Sequence, residues 1–68
     1  MEKLIEVIKE ALEQIKKQYI QNQYNTDFQW VELNVKITQL QEIAVKLITE
    51  DELLKDIENT KNNILAKS

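Results

Sequence analysis

Residues 30–47 read WVELNVKITQLQEIAVKL, and their spacing decides the fold class. An apolar residue recurs every three or four positions, which is typical of one face of an α-helix that packs against other helices. These positions are Trp30, Leu33, Ile37, Leu40, Ala44 and Leu47. We therefore predict that helix two covers residues 27–48 and that this face, the seam, lies in the core or at an oligomer interface.

A second side of helix two is also apolar. Val31 and Val35, with Thr38 and Val45 further along, lie away from the seam, where a surface helix is normally polar. Helix two is therefore predicted to pack against another element on each of two sides. Helix one covers the seam, and the second side takes helix three, a second copy of the chain or a foreign partner.

A β-strand is the alternative for residues 30–38. Four apolar residues alternate there with polar ones, a period of two that is typical of a half-buried strand. The chain offers no second strand candidate, so such a strand would need a partner strand from another subunit. The helical spacing continues to Leu47 without that requirement, and we favour the helix.

Two further helices are predicted, one on either side of helix two. Helix one covers residues 2–21 and repeats the three-four spacing at Ile5, Ile8, Leu12, Ile15 and Tyr19. Helix three covers residues 50–66, with a stripe of Leu54, Ile57 and Ile64 flanked by Leu53 and Leu65. The predicted fold is all-α: an antiparallel helical hairpin with a third helix, a small two- or three-helix bundle forming one domain over residues 1–68.

Polar residues mark the predicted helix boundaries. Thr26 and Gln29 fit a capping box at the start of helix two, and Thr49 and Glu52 fit another before helix three. Because the chain has no glycine, Asn25 is the candidate for a left-handed residue that closes helix one.

The small size of the chain predicts self-assembly. A chain of 68 residues buries only about 60% of the surface that its unfolded form exposes, so its stability is marginal. Small domains often add a disulfide, a metal or a second subunit, and this chain contains neither cysteine nor histidine. We therefore predict a homodimer.

Composition argues against catalysis. Without histidine, cysteine or arginine, the chain offers no imidazole base, no thiolate nucleophile, no ordinary zinc site and no guanidinium clamp. Without glycine it offers no phosphate-binding loop. The acidic residues of helix one are expected to be solvated, and those at 50–56 are explained by the helix dipole. We predict a protein that is not an enzyme, with no catalytic residue, no metal and no cofactor.

Charge argues against nucleic acid and membrane partners. The net charge is -3, and the lysines of helix one alternate with glutamates, so no continuous basic stripe is expected. No window is apolar enough for a spanning helix, and no signal peptide is recognised, so we expect a soluble cytoplasmic protein. The alternative function is a small nucleic-acid-associated regulator whose dimer presents lysines of helix one.

Aromatic residues favour protein binding. The four aromatics of the chain fall between Tyr19 and Trp30. Tyr24 and Phe28 lie off both seams and would form an exposed aromatic knob at one end of the bundle, where aromatics act as interface anchors. The predicted partner-binding residues are Tyr24, Phe28, Val31 and Val35. The predicted function is that of a small adaptor, assembly factor or inhibitor that occupies a surface of a partner protein.

Overall fold

The computed structural model describes residues 2–48 and 51–67, and it contains three helices in these ranges. They are α1 (Glu2–Asn22), α2 (Trp30–Leu47) and α3 (Asp51–Leu65). Residues 30–38 belong to α2, so the strand alternative for this segment is wrong. The all-α class with three helices is confirmed.

One apolar core joins the three helices, and α2 packs against both of the others. Leu12, Leu33, Ile37, Ile57 and Ile64 are almost completely shielded from solvent. Burying an aliphatic side chain of this size stabilises a fold by about 1.5–3 kcal/mol. The remaining buried apolar residues are Ile8, Ile15, Trp30, Ala44, Ile48 and Leu53. The core therefore follows the predicted spacing over most of its length.

The seam of α2 ends differently from its prediction. Leu40 is half-buried, and Leu47 is 44% exposed and does not belong to the core of the single chain. Ile48 is buried instead, because the helix stops at Leu47 and Ile48 has extended backbone angles, φ −129° and ψ 150°. Its N–H still donates to the carbonyl of Ala44 at 2.9 Å.

The buried stripe of α3 is also shifted. Leu53 is buried, Leu54 is only half-buried, and Leu65 is 45% exposed. Thr60 lies within the core, where its hydroxyl donates a hydrogen bond of 2.8 Å to the backbone carbonyl of Asp56. That bond offsets the cost of burying the hydroxyl group, which explains how a polar residue fits between the apolar ones.

The predicted capping box of Thr26 and Gln29 is wrong. α2 begins at Trp30, and Gln29 occupies the capping position without a side-chain hydrogen bond. Asn25 holds the connection instead. Its side-chain oxygen accepts the N–H of Asp27 at 2.9 Å, and its carbonyl accepts the indole N–H of Trp30 at 3.1 Å. The first residue of α2, Trp30, is thus also the residue whose indole group is held by the connection.

Helix α1 also ends without a left-handed residue. No residue in the described ranges has a positive φ, so the prediction for Asn25 is wrong. The N–H of Asn25 donates to the carbonyl of Asn22 at 2.9 Å, and the Asn22 amide donates to the carbonyl of Gln18 at 3.0 Å. Thr49, and with it the second predicted capping box, lies outside the described residues.

Candidate protein-interaction surfaces

Tyr24 is the most exposed of the predicted partner-binding residues. Its side chain is 89% exposed in the connection between α1 and α2. The ammonium group of Lys67 lies 5.7 Å from the centre of its ring and donates a 2.6 Å hydrogen bond to the carbonyl of Gln23. Such an exposed cation–π contact contributes about 0.5–1 kcal/mol. The turn after α3 is thereby attached beside Tyr24.

Phe28 is not part of an exposed pair with Tyr24. It is half-buried, and its ring centre lies 5.0 Å from that of Trp30 in an edge-to-face arrangement. Tyr19 contacts Trp30 in a similar way at 5.8 Å. Phe28 thus extends the core at the end of the hairpin, and the predicted knob of Tyr24 and Phe28 does not form.

Val31, Val35 and Val45 form an exposed line on α2, which we call the valine row. They are between 49% and 66% exposed. Both α1 and α3 pack against α2, but they share the core on its other side. Helix three therefore does not cover the second side of helix two, contrary to one of the predicted alternatives. In the single chain this side faces solvent.

A second apolar surface, which the sequence did not predict, lies between α1 and α2. This α1–α2 groove has a volume of about 360 Å³. Its lining residues are Ala11, Gln14, Ile15, Gln18, Lys36, Gln39, Leu40 and Ile43. Ile43 is 48% exposed at its edge. The sequence does show that Ile43 lies off the seam of helix two. It does not show which residues surround Ile43, because that depends on where α3 packs.

Polar contacts attach α3 on the other side of the hairpin. The Lys16 ammonium group lies 2.7 Å from Asp56 and 3.8 Å from Glu13. Gln41 of α2 donates to Glu58 at 2.9 Å and accepts from Lys61 at 3.0 Å. The Lys16 pair is partly exposed, so it contributes about 1 kcal/mol or less. These contacts lie on the side of the hairpin where α3 packs, and the α1–α2 groove lies on the other side.

Carboxylates are the side chains of the described residues that most readily bind a metal ion. Among them, no three acidic side chains lie close enough together to hold one. Of the acidic residues at 50–56, Glu50 lies outside the described ranges, while Asp56 pairs with Lys16.

Among residues 2–48 and 51–67, no helix combines the length and the apolar character needed to cross a membrane.

No protein-family model, curated protein or solved structure matches this chain. The fold class does not specify an activity, because small helical bundles serve many unrelated functions. The two exposed apolar surfaces are therefore the features from which a function can be inferred.

Proposed function

We propose that this chain is a non-enzymatic protein-interaction module, a small adaptor, assembly factor or inhibitor that acts by occupying a surface of a partner protein. The observation that carries the proposal is the exposure of aliphatic side chains along both flanks of α2. Exposed apolar patches on a single chain mark interaction surfaces, because covering them removes apolar area from water.

The valine row is the proposed contact between two copies of the chain. Val31, Val35, Thr38, Glu42 and Val45 follow at steps of four, three, four and three, the spacing of a helix-packing seam. An antiparallel pairing of two α2 helices about Thr38 places Val31 opposite Val45, since each lies seven residues from Thr38. A two-fold symmetric contact of this kind closes and forms a homodimer.

Val35→Glu tests the proposal directly. In this pairing a carboxylate at position 35 would lie beside Glu42 of the second copy, and the two like charges would repel, so we expect this variant to sediment as a monomer while wild type sediments as a dimer. Far-ultraviolet circular dichroism should remain helical, because Val35 is exposed in the single chain. Ile20→Glu is the matched control: it also replaces an exposed aliphatic residue, on α1, and should remain dimeric.

Two results would contradict this proposal. One is an unchanged sedimentation mass for Val35→Glu, which would show that the valine row is not an interface. The other is retention of RNA or DNA by the wild-type chain, with binding that weakens steeply between low and moderate salt. The nucleic-acid alternative has one lysine fewer to present, because Lys16 of α1 is engaged by Asp56 and Glu13, whereas the other lysines of α1 are exposed.

A further inference from the structure

We infer that two copies of the chain pair antiparallel through their valine rows and that two ion pairs select this orientation, each joining Glu32 of one copy to Lys46 of the other. The inference rests on the proposed function, since it takes the valine row as the contact between copies. It goes further because it names the charged residues that determine how the second copy is recognised.

The charges of α2 follow an order that antiparallel pairing makes complementary. The helix carries four charged side chains, and all of them are exposed: Glu32, Lys36, Glu42 and Lys46. The outer two each lie seven residues from Gln39, and the inner two each lie three residues from it. Reversing the helix about Gln39 therefore exchanges every acid with a base.

The outer two charges lie beside the valine row. With about 3.6 residues per turn, Glu32, Gln39 and Lys46 lie on one flank of the row. In an antiparallel two-fold pair, each flank of a helix faces the same flank of its copy. In the pairing about Thr38, Gln39 also lies next to the two-fold axis, so Glu32 of each copy lies beside Lys46 of the other.

Glu32 and Lys46 are exposed, and within the part of the chain that the structure describes neither side chain forms an ion pair or a hydrogen bond. Glu32 lines a pocket together with Asp27 and Lys36, so two acids and one base stand at this end of α2. The surplus of negative charge attracts a lysine, and the second copy presents Lys46 there. The acids around Lys36 therefore add to the attraction between copies.

A parallel pair would lack these attractions. Glu42 belongs to the same helical stripe as the valine row, so a parallel pair would place it directly opposite Glu42 of the second copy. Two carboxylates facing each other in a contact repel. Antiparallel pairing moves them about 9–12 Å apart along the helices and brings Glu42 towards Lys36 of the second copy.

Charge reversal tests the ion pairs. Glu32→Lys and Lys46→Glu should each weaken the dimer about tenfold at low salt, because two attractive pairs become two repulsive ones. Sedimentation equilibrium measures the dissociation constants. Glu6→Lys on α1 and Lys55→Glu on α3 are the matched controls: they make the same charge changes at exposed positions outside the contact and should dimerise as wild type does.

The double variant Glu32→Lys/Lys46→Glu separates the contact between copies from effects within one helix. Glu32 lies in the first turn of α2 and Lys46 in the last, which the helix dipole favours in a single chain. Exchanging both residues opposes the dipole at both ends. Between two copies, however, each introduced lysine again meets a glutamate. We therefore expect the double variant to recover the dimer affinity that each single variant loses.

Cysteine cross-linking reports the orientation. The chain has no cysteine of its own, so each introduced thiol is unique. Val31 and Val45 lie about 21 Å apart along α2, and antiparallel pairing places one opposite the other. A short thiol-reactive linker should therefore join Val31→Cys to Val45→Cys in a mixture, whereas neither variant alone should form a covalent dimer. Ile20→Cys, at an exposed position on α1, is the control and should not be joined to either.

The inference and the proposed contact can fail separately. Efficient linking of Val31→Cys to itself, or a double variant that dimerises more weakly than either single variant, would overturn the inference and leave the valine-row dimer in place. So would wild-type affinity in both Glu32→Lys and Lys46→Glu. A wild-type chain that sediments as a monomer, or a dimeric Val35→Glu, would instead remove the proposed contact and the inference with it.

Discussion

At the scale of single residues, Trp30 organises the end of the hairpin. Tyr19 and Phe28 pack edge-on against its ring, and its indole N–H is bound by the carbonyl of Asn25. Phe28 therefore contributes to stability, whereas Tyr24, four residues earlier, projects into solvent. Neighbouring aromatics in one connection thus have different roles.

Phe28→Ala should lower stability. The side chain is half-buried and its edge-to-face contact adds to its burial, so we expect a loss of about 2 kcal/mol and a fall in melting temperature of about 10 °C. Tyr24→Ala is the control and should cost less than about 1 kcal/mol, since only the exposed contact with Lys67 is removed. Thermal melts followed by circular dichroism measure both. A melting temperature for Phe28→Ala within about 2 °C of wild type would show that this ring does not support the core.

At the scale of helices, α3 is held to the hairpin by apolar burial more than by its ion pair. Ile57 is completely buried, whereas Lys16 and Asp56 are both partly exposed. Solvent and salt weaken the attraction between exposed charges, but they do not weaken a buried contact in the same way.

Ile57→Ala should therefore cost about 3 kcal/mol, because it leaves a cavity in the core. Asp56→Asn should cost less than about 1 kcal/mol, and this small loss should shrink at high salt. Urea denaturation at low and high salt measures both changes. Equal losses for the two variants would contradict this expectation, because the ion pair would then hold α3 as strongly as the buried side chain does.

The sequence predicted those parts of the helices in which burial repeats every three or four residues. It did not predict the positions at which the helices begin and end. The three-four spacing identified α2 and most of its buried face, because burial follows the helical repeat. It did not predict the exposure of Leu47 or the burial of Ile48, because the position at which a helix stops is not part of that repeat. Phe28 precedes α2, so the helical spacing did not predict that its ring is half-buried against Trp30.

The surfaces were less predictable than the helices. The valine row was visible in the sequence as apolar residues off the seam. The α1–α2 groove was not, since it exists only because α3 packs on the other side of the hairpin, where Asp56 meets Lys16. The contacts on that side join residues as far as 40 positions apart, which the helical spacing within one segment does not report.

At the scale of the whole molecule, the single chain exposes a large surface for its mass. Its accessible area is 4986 Å², and a typical monomer of 8.1 kDa exposes about 4,500 Å². The molecule measures 38 × 17 × 16 Å, so it is elongated. An elongated bundle with apolar flanks has much to gain from association.

The melting temperature should consequently rise with protein concentration. In the proposed dimer, association would stabilise the folded chain by mass action, so a hundredfold increase in concentration should raise the melting temperature by several degrees. Scanning calorimetry at about 10 μM and about 1 mM measures the effect, and Val35→Glu should show none. A wild-type melting temperature that is the same at both concentrations would argue against a dimer.

The connection between α1 and α2 reverses the chain without any residue at positive φ. No position there requires the stereochemical freedom of glycine, so side chains of many kinds are compatible with the same backbone path. What the connection does use is a side-chain oxygen at Asn25, the ring of Phe28 and the indole of Trp30. Substitutions at the other residues of this loop would change the surface of the protein while leaving its fold intact.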